Sequence, residues 1–280
     1  MPVISRSITI VTPAPPNTLH GNRHTAVRWA RHLRAIGHRV RVVTAWDGRP
    51  CDMMVALHAR RSHESILAWK TAHPSRPLVL ILTGTDLYRD IRVDAQAKAS
   101  LKLADRLVVL QGEGISELDR NLRRKAVVIH QSVEAVKRRT PPPAELLAVV
   151  IGHLRPEKDP FLPVRALAGV DPDRAIRIVH LGKALTTSAA REAARWMKQE
   201  PRYRWLGEVS HRRALQWLAR SDLLIHPSVM EGGAHVVSEA IGIGVPVIAS
   251  RIPGNTGLLG RRYPACFPVG DADALARLLQ

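Results

Sequence analysis

The residues of this chain best suited to chemistry by type and spacing are two glutamates, Glu231 and Glu239, with Gly232 and Gly233 directly after the first. They lie in the run His226-Pro-Ser-Val-Met-Glu-Gly-Gly-Ala-His-Val-Val-Ser-Glu-Ala-Ile-Gly-Ile-Gly-Val-Pro-Val-Ile-Ala-Ser250, which reads as a loop, a helix and a buried strand. Glycines let backbone N–H groups come close to a ligand, and a helix N-terminus favours negative charge. On a helix Glu239 lies roughly 12 Å beyond Glu231. That separation suits a ligand with hydroxyls at both ends and phosphates between, as in a nucleotide sugar. A second segment, Gly152-His-Leu-Arg-Pro-Glu-Lys-Asp159, sets Arg155 and Lys158 in a loop after a strand-ending glycine. Two cations there can lie over a diphosphate and neutralise charge on a departing nucleotide. Taken alone, the segment also reads as an exposed basic loop before a proline-started helix.

The elements that position these residues fall into two α/β halves. In the first, strands are predicted at Ser7–Thr12, Arg39–Thr44, Met53–Leu57, Leu78–Leu82, Arg106–Leu110 and Ala126–Ile129. Helices are predicted from about His24 to Ile36, at Ser62–Thr71 and at Asp94–Ala104, with a short turn at Glu113–Leu118. In the second half, strands are predicted at Leu147–Gly152, Arg177–Leu181, Arg202–Leu206, Leu223–His226, Val245–Ala249 and Cys266–Val269. Helices lie between them at about Pro160–Leu167, Ser188–Gln199, His211–Arg220 and Ala234–Gly242. Short apolar strands alternating with amphipathic helices indicate parallel sheets covered on both faces. The charged, proline-rich stretch Glu134–Pro143 has no apolar period and reads as a linker. The expected division is therefore 1–135, a linker at 136–145, and 146–280. A pair of doubly wound domains binds its ligand at the C-terminal ends of the strands, in the cleft between them.

At the two segments above, the chain resembles the retaining glycosyltransferases of the family-4 type, whose hallmark is Glu, seven residues, Glu. Glu231 and Glu239 match it, inside Ser228-x-x-Glu-Gly232 and before Gly244-x-Pro-Val247. The resemblance implies a GT-B fold, two Rossmann-like domains facing a central cleft. It also implies that Glu239 holds the ribose hydroxyls and Glu231 contacts the donor sugar. The backbone of Gly232, Gly233, Ala234 and His235 would meet sugar and phosphate. The family's Gly-Arg-Leu-x-x-Glu-Lys is matched by Gly152, Leu154, Glu157 and Lys158, while His153 stands where the family has arginine and Arg155 follows two residues on. The second cation is then either His153 or Arg155. After the first strand the family uses a flexible glycine loop, and Gly21 with Asn22 is the matching contact to the donor diphosphate, although one glycine replaces the usual pair. The family continues with further helices beyond the point matched by Gln280, so a cleft closed differently or a shortened form is expected.

Finer details narrow the resemblance to one branch: Arg28-Trp29 after Gly21-Asn22, Trp46-Asp47-Gly48, Leu57-His-Ala-Arg-Arg-Ser62, Leu82-Thr-Gly-Thr-Asp-Leu-Tyr-Arg-Asp90 and Met230-Glu-Gly-Gly-Ala-His235. Together they are similar to the selenosugar synthases of selenoneine biosynthesis. That branch implies transfer of a sugar from a UDP-sugar, either UDP-GlcNAc or UDP-glucose, to selenophosphate, with C–Se bond formation and release of UDP and phosphate. UDP-sugar and selenophosphate are substrates, and no cofactor or metal is expected. Partner enzymes that supply selenophosphate and consume the selenosugar are also implied.

The residues themselves also indicate a small anionic acceptor. His58, Arg60 and Arg61 follow one predicted strand, and Thr83, Thr85, Asp86 and Arg89 follow the next. Arginine forks with hydroxyls suit a phosphate-type group, whereas a lipid or bulky sugar calls for apolar or aromatic surfaces. Arg60 or Arg61 also reads as part of a helix start opened by Ser62. Asp86 is the carboxylate best placed for a catalytic or orienting role, with an N-cap before Leu87-Tyr88 as the competing explanation. His20, His24 and His235 are candidate bases, though a lone histidine is more often structural. Asp171-Pro-Asp173 and Asp271-Ala-Asp273 spell a metal motif of a different glycosyltransferase fold but fall in surface loops.

Composition sets the outer bounds. A formal net charge of +18 comes from arginines scattered along alanine-bearing helices, and a solvated basic face accounts for most of it. No zinc knuckle or aromatic RNA-binding strand accompanies the charge, so a nucleic-acid-binding α/β protein is the weaker alternative. An ordinary family-4 transferase with a sugar or lipid acceptor is the nearer one. No apolar run approaches the roughly 18 residues of a membrane span. The N-terminal residues lack the layout of a signal peptide, and Cys51 and Cys266 match no metal spacing, so a cytoplasmic setting is expected.

Overall fold

The computed structural model describes residues 4–16, 18, 21–139 and 145–280. The chain divides into two compact units, Met1–Ser132 and Val133–Gln280. The first unit runs β1 (Ser7–Val11), α1 (Gly21–Ala35), β2 (Arg39–Val43), β3 (Met53–Leu57), α2 (His63–Ala72), β4 (Leu78–Ile81), α3 (Ile91–Val93), α4 (Ala95–Leu103), β5 (Arg106–Val109), α5 (Arg120–Arg123) and β6 (Ala126–Val128). Its strands form one parallel sheet in the order β2-β1-β3-β4-β5-β6. The second unit runs β7 (Leu146–Ile151), α6 (Leu162–Ala166), β8 (Ile176–Leu181), α7 (Thr187–Gln199), β9 (Tyr203–Trp205), α8 (His211–Ala219), β10 (Leu223–His226), α9 (His235–Ile243), β11 (Val247–Ser250), α10 (Pro253–Leu259), β12 (Cys266–Phe267) and α11 (Ala272–Leu279). Its sheet, also parallel, has the order β12-β11-β10-β7-β8-β9.

Both sheets are doubly wound because their central strands are apolar on both faces. Met53–Leu57 and Leu78–Ile81 have no polar residue to turn to solvent, so helices must cover each side. Two apolar clusters accordingly flank each sheet. In the second unit, α8 and α9 share one of these clusters through Ala214, Leu215, Leu218, Val236, Val237 and Ala240. Helix ends follow local chemistry. The side chains of Asp94, Thr186, Ser210 and Asp271 accept backbone N–H groups at the starts of α4, α7, α8 and α11. Helix α9 stops at Gly244, whose φ of 82° favours glycine.

Several boundaries differ from those expected. Gly21 and Asn22 form the first turn of α1 rather than a loop before it, with Thr25 Oγ1 donating to the Gly21 carbonyl at 3.1 Å. His20 lies outside the described residues. The expected linker begins as a strap on the second unit: Arg139 N donates to Ala219 O at 2.8 Å, and an Arg138 guanidinium donates to the Gly244 carbonyl. Val133 lies over Gly242, where an added Cβ would come within 2.6 Å of its Cγ2. Residues 140–144 lie outside the described set. Helix α10 was not expected, since its Gly-Asn-Thr-Gly content argues against a helix, yet Pro253 at its first turn starts one.

Candidate functional site

In the second unit the chain steps from β7 to β8 and β9 on one side, then returns to β10 on the other. The topological switch therefore falls between β7 and β10, where open α/β sheets bind ligands. The loops that follow these two strands carry the candidate donor residues, and Val229 N donates to Glu157 O at 2.9 Å to join them. Lys158 closes a short turn, Pro156–Lys158, and its ammonium pairs directly with the Glu231 carboxylate. Burial pushes the Glu231 carboxyl up, but Lys158 and His226 outweigh it and hold the group below the usual carboxylate range. Glu231 is thus an anion at neutral pH. His226 Nε2 lies 3.5 Å from Glu231 Oε1, and burial lowers the pKa of this histidine.

A buried scaffold fixes that loop from below. Ser250 Oγ donates to the Ser228 carbonyl, and Asn255 Nδ2 donates to Ser250 O at 2.9 Å. Gly254 presses against the Glu231 backbone so closely that a Cβ would lie 1.9 Å from its carbonyl oxygen. Gly254→Ala is therefore expected to cost about 2 kcal/mol and displace the Glu231 loop, whereas Gly112→Ala, in open space, should stay within about 0.5 kcal/mol. Thermal melts of both variants check this contrast.

The other loop is held by a buried histidine. A carbonyl can only accept, so His180 Nε2 donates to Gly152 O at 3.1 Å, leaving Nδ1 to accept from the Tyr203 hydroxyl at 3.0 Å. Gly182 lies underneath, with room for no side chain, since a Cβ would sit 1.9 Å from Gly152 O. Burial lowers the His180 pKa to about 4, against a weaker opposing effect of its bond to Gly152. As pH falls below 6.5 an unfolded chain protonates this histidine before the folded one does. The stability it supplies above pH 6.5 is then lost progressively down to about pH 4, a total of about 3 kcal/mol. Urea midpoints measured from pH 7 to 4 should fall less steeply in His180→Gln; equal slopes would refute this.

His153, one of the two candidates for the second cation, accepts Lys183 N on Nδ1 at 3.2 Å. Arg155 Nε lies 4.0 Å from Glu157 Oε2 and is buried without a hydrogen-bond partner among the described residues. Gly232, Gly233 and Ala234 are buried and lead into α9, whose first residue is His235. Glu239, one helical stretch on, is 6% exposed, and its Oε1 is met at 2.8 Å by His211 Nε2 from the first residue of α8. The structure brings Lys158, Glu231 and the glycine segment together.

In the first unit the loops after β3 and β4 are tied to each other. Asp86 is fully buried, and its carboxylate accepts Ala59 N at 3.0 Å and both Thr83 N and Gly84 N at 2.9 Å. Both oxygens are thus occupied by backbone donors, and the carboxylate ties the two loops together. His58 adopts φ 72°, a conformation rare outside glycine, and turns its ring to Thr85. Its Nδ1 accepts Arg61 N at 3.3 Å, so Nε2 donates to Thr85 Oγ1 at 3.1 Å. Burial lowers the His58 pKa, keeping the ring neutral. Arg60 Nε and Arg89 Nε both go to Asp90, at 2.9 and 3.1 Å. Arg61 is exposed, and its guanidinium makes no ion pair among the described residues. Of the three arginines, Arg61 is the one without an ion pair among the described residues, while Arg60 and Arg89 share one carboxylate.

The two Asp-x-Asp pairs hold their own turns. Asp171 Oδ1 accepts Asp173 N at 2.9 Å, and Asp271 Oδ1 accepts Ala274 N at 2.8 Å. Among the described residues no helix is long and apolar enough to cross a membrane.

Comparison with known proteins bears on both units. The family profile described as "Glycosyl transferases group 1" matches residues 131–280, more than half of the chain. The D-inositol 3-phosphate glycosyltransferase of Corynebacterium glutamicum (strain R) is 32% identical over 144 residues, 46% of this chain and 34% of that protein. The GDP-mannose-dependent alpha-mannosyltransferase of Mycobacterium tuberculosis (strain CDC 1551 / Oshkosh) is 28% identical over 152 residues, 52% of this chain and 38% of that protein. The aligned region thus spans little more than a third of these relatives' own length. Among solved structures, Anabaena HepE in complex with UDP superposes with a TM-score of 0.74 at 16% identity, over 99% of this chain and 89% of that one. Sucrose-phosphate synthase from Thermosynechococcus elongatus gives 0.72 at 15% identity, over 97% and 88%. With two parallel six-stranded sheets, this likeness identifies the GT-B fold, built of two doubly wound Rossmann-like domains.

Proposed function

Because the chain belongs to the family of group 1 glycosyl transferases, we propose that it transfers a sugar from a UDP-sugar to selenophosphate. The observation that carries the donor half is the Lys158–Glu231 pair beside the glycine segment at the switch point of the second sheet. Lys158, with Arg155 or His153, takes the charge that develops on the β-phosphate as the C1–O bond breaks. The fold shared with the UDP complex of HepE supports uridine as the nucleoside of the donor. For the acceptor half, the exposed Arg61 guanidinium and the Thr85 hydroxyl, which accepts from His58 and keeps its own proton to give, suit a small phosphorus oxyanion, while the Thr83 hydroxyl is engaged by Asp86 at 3.3 Å. Selenium attacks C1 as UDP leaves. The Glu231 carboxylate is engaged by Lys158 and His226, so attack on the face that UDP vacates is the proposed course. Water then cleaves the Se–P bond, giving phosphate and the selenol of the sugar.

We assign the reaction to the cytosol, in keeping with two buried free cysteines, Cys51 and Cys266. One enzyme must supply selenophosphate and another consume the selenosugar. A second reading is favoured by the likeness to a D-inositol 3-phosphate glycosyltransferase. A phosphorylated polyol would present the same oxyanion to Arg61. UDP release from UDP-GlcNAc and UDP-glucose, measured with selenophosphate, inositol phosphate and no acceptor, separates the two. Release that depends on selenophosphate alone is expected, and release driven by inositol phosphate alone would support the second. Arg61→Ala should spare UDP binding and lower acceptor-dependent turnover by about tenfold or more, the worth of one charge-assisted contact. Loss of UDP affinity in this variant would contradict the acceptor role.

A further inference from the structure

We propose that His211 is a positioning residue for nucleotide recognition, aiming the Glu239 carboxylate at the ribose and thereby setting selectivity for ribose over deoxyribose. This rests on the reading of Glu239 as the residue that holds the ribose hydroxyls. Glu239 sits on α9 with 6% of its surface exposed, so its carboxylate has little water to orient or stabilise it. His211 Nε2 supplies a donor 2.8 Å from Oε1, and its own side chain keeps 29% exposure. The contact joins two helices that are otherwise fixed by one apolar cluster: Ala214, Leu215 and Leu218 below His211 pack with Val236, Val237 and Ala240 around Glu239. Ser210 Oγ caps α8 through Arg213 N at 3.3 Å, which settles where His211 leaves the helix start. A carboxylate must present its remaining acceptor capacity in a fixed direction to take hydrogen bonds from two vicinal hydroxyls. One donor on Oε1, mounted on a rigid helix, selects the rotamer that does so.

A site built to bond a hydroxyl rejects an analogue that lacks it, because its own polar group is left without a partner. His211 therefore acts on discrimination between the two nucleotides and not on affinity alone. UDP and 2′-deoxy-UDP are titrated by calorimetry into the full chain and into His211→Ala, His211→Gln and Glu239→Ala, with a melt of each to verify folding. The unaltered protein should favour UDP by about tenfold or more, the equivalent of one hydrogen bond. His211→Ala should weaken UDP by about tenfold and abolish the preference, as Glu239→Ala does, while His211→Gln, which keeps an N–H donor, should restore most of both. Equal weakening of both nucleotides in His211→Ala would make the residue merely structural and overturn the proposal. Retained preference in His211→Ala, with its loss in Glu239→Ala, would overturn it while leaving the ribose role of Glu239 intact. If Glu239→Ala itself keeps affinity and preference, that role fails and the proposal with it.

Discussion

Lys158→Ala is expected to lower kcat by about a thousandfold, at the upper end of what removing one preorganised group for a developing anion costs. The group is placed for this by three features. It ends a short turn at the switch point of the sheet, its stem packs beside Gly152, and its ammonium touches Glu231. At Gly152 an added Cβ would lie 3.5 Å from Lys158 Cδ, so the glycine leaves the stem an ordinary contact and no more. Removing the amine also takes away the main force that holds the Glu231 carboxyl down, while burial continues to push it up. The variant should therefore show two changes: a drop in kcat larger than any change in KM, and a rise in the pH at which Glu231 protonates. Activity within threefold of the parent would remove Lys158 from the reaction.

Asp86→Ala is expected to cost about 4 kcal/mol and to disorganise the loops after β3 and β4 together. Three backbone N–H groups converge on this one buried carboxylate, two of them at 2.9 Å. Alanine leaves them in a space with no replacement acceptor. His58 and Thr85 are drawn into register by the same anchor, so acceptor-dependent turnover should fall with the loss of order, while UDP binding by the second unit should persist. A melt transition for the first unit lowered by some 10 °C is the expected signature. A variant with unchanged stability but abolished turnover would instead make Asp86 a participant in proton transfer.

Much of this was legible in the chain itself, and the reasons are physical. Short, near-continuous apolar runs with amphipathic helices between them announce a parallel sheet. Residues at strand ends then announce the loops that carry chemistry. That is how Lys158, Glu231, Arg61 and Thr85 become candidates before any coordinates. What escaped was pairing at a distance. His211 and Glu239 stand 28 residues apart, and His180 and Gly152 likewise. A histidine at a helix start or in a strand carries no local sign of its partner. Asp90 was passed over for the same reason, although it is the residue that takes Arg60 and Arg89 and so leaves Arg61 as the arginine of that cluster without an ion pair among the described residues. Helix α10 was missed because its glycines and Asn255 argue locally for a turn. Its place is set instead by the need to support Glu231, where Gly254 lets the backbones meet.

Selenium, rather than a sugar or lipid hydroxyl, is the proposed acceptor of this group 1 glycosyltransferase. The most direct test is mass spectrometry of the purified full chain incubated with UDP-GlcNAc or UDP-glucose and selenophosphate. The expected product carries the selenium isotope pattern and the mass of the selenol of the donated sugar, forms in step with UDP and is absent from Lys158→Ala. UDP formation with no selenium-bearing sugar, or transfer only to a sugar or lipid acceptor, would contradict the proposal.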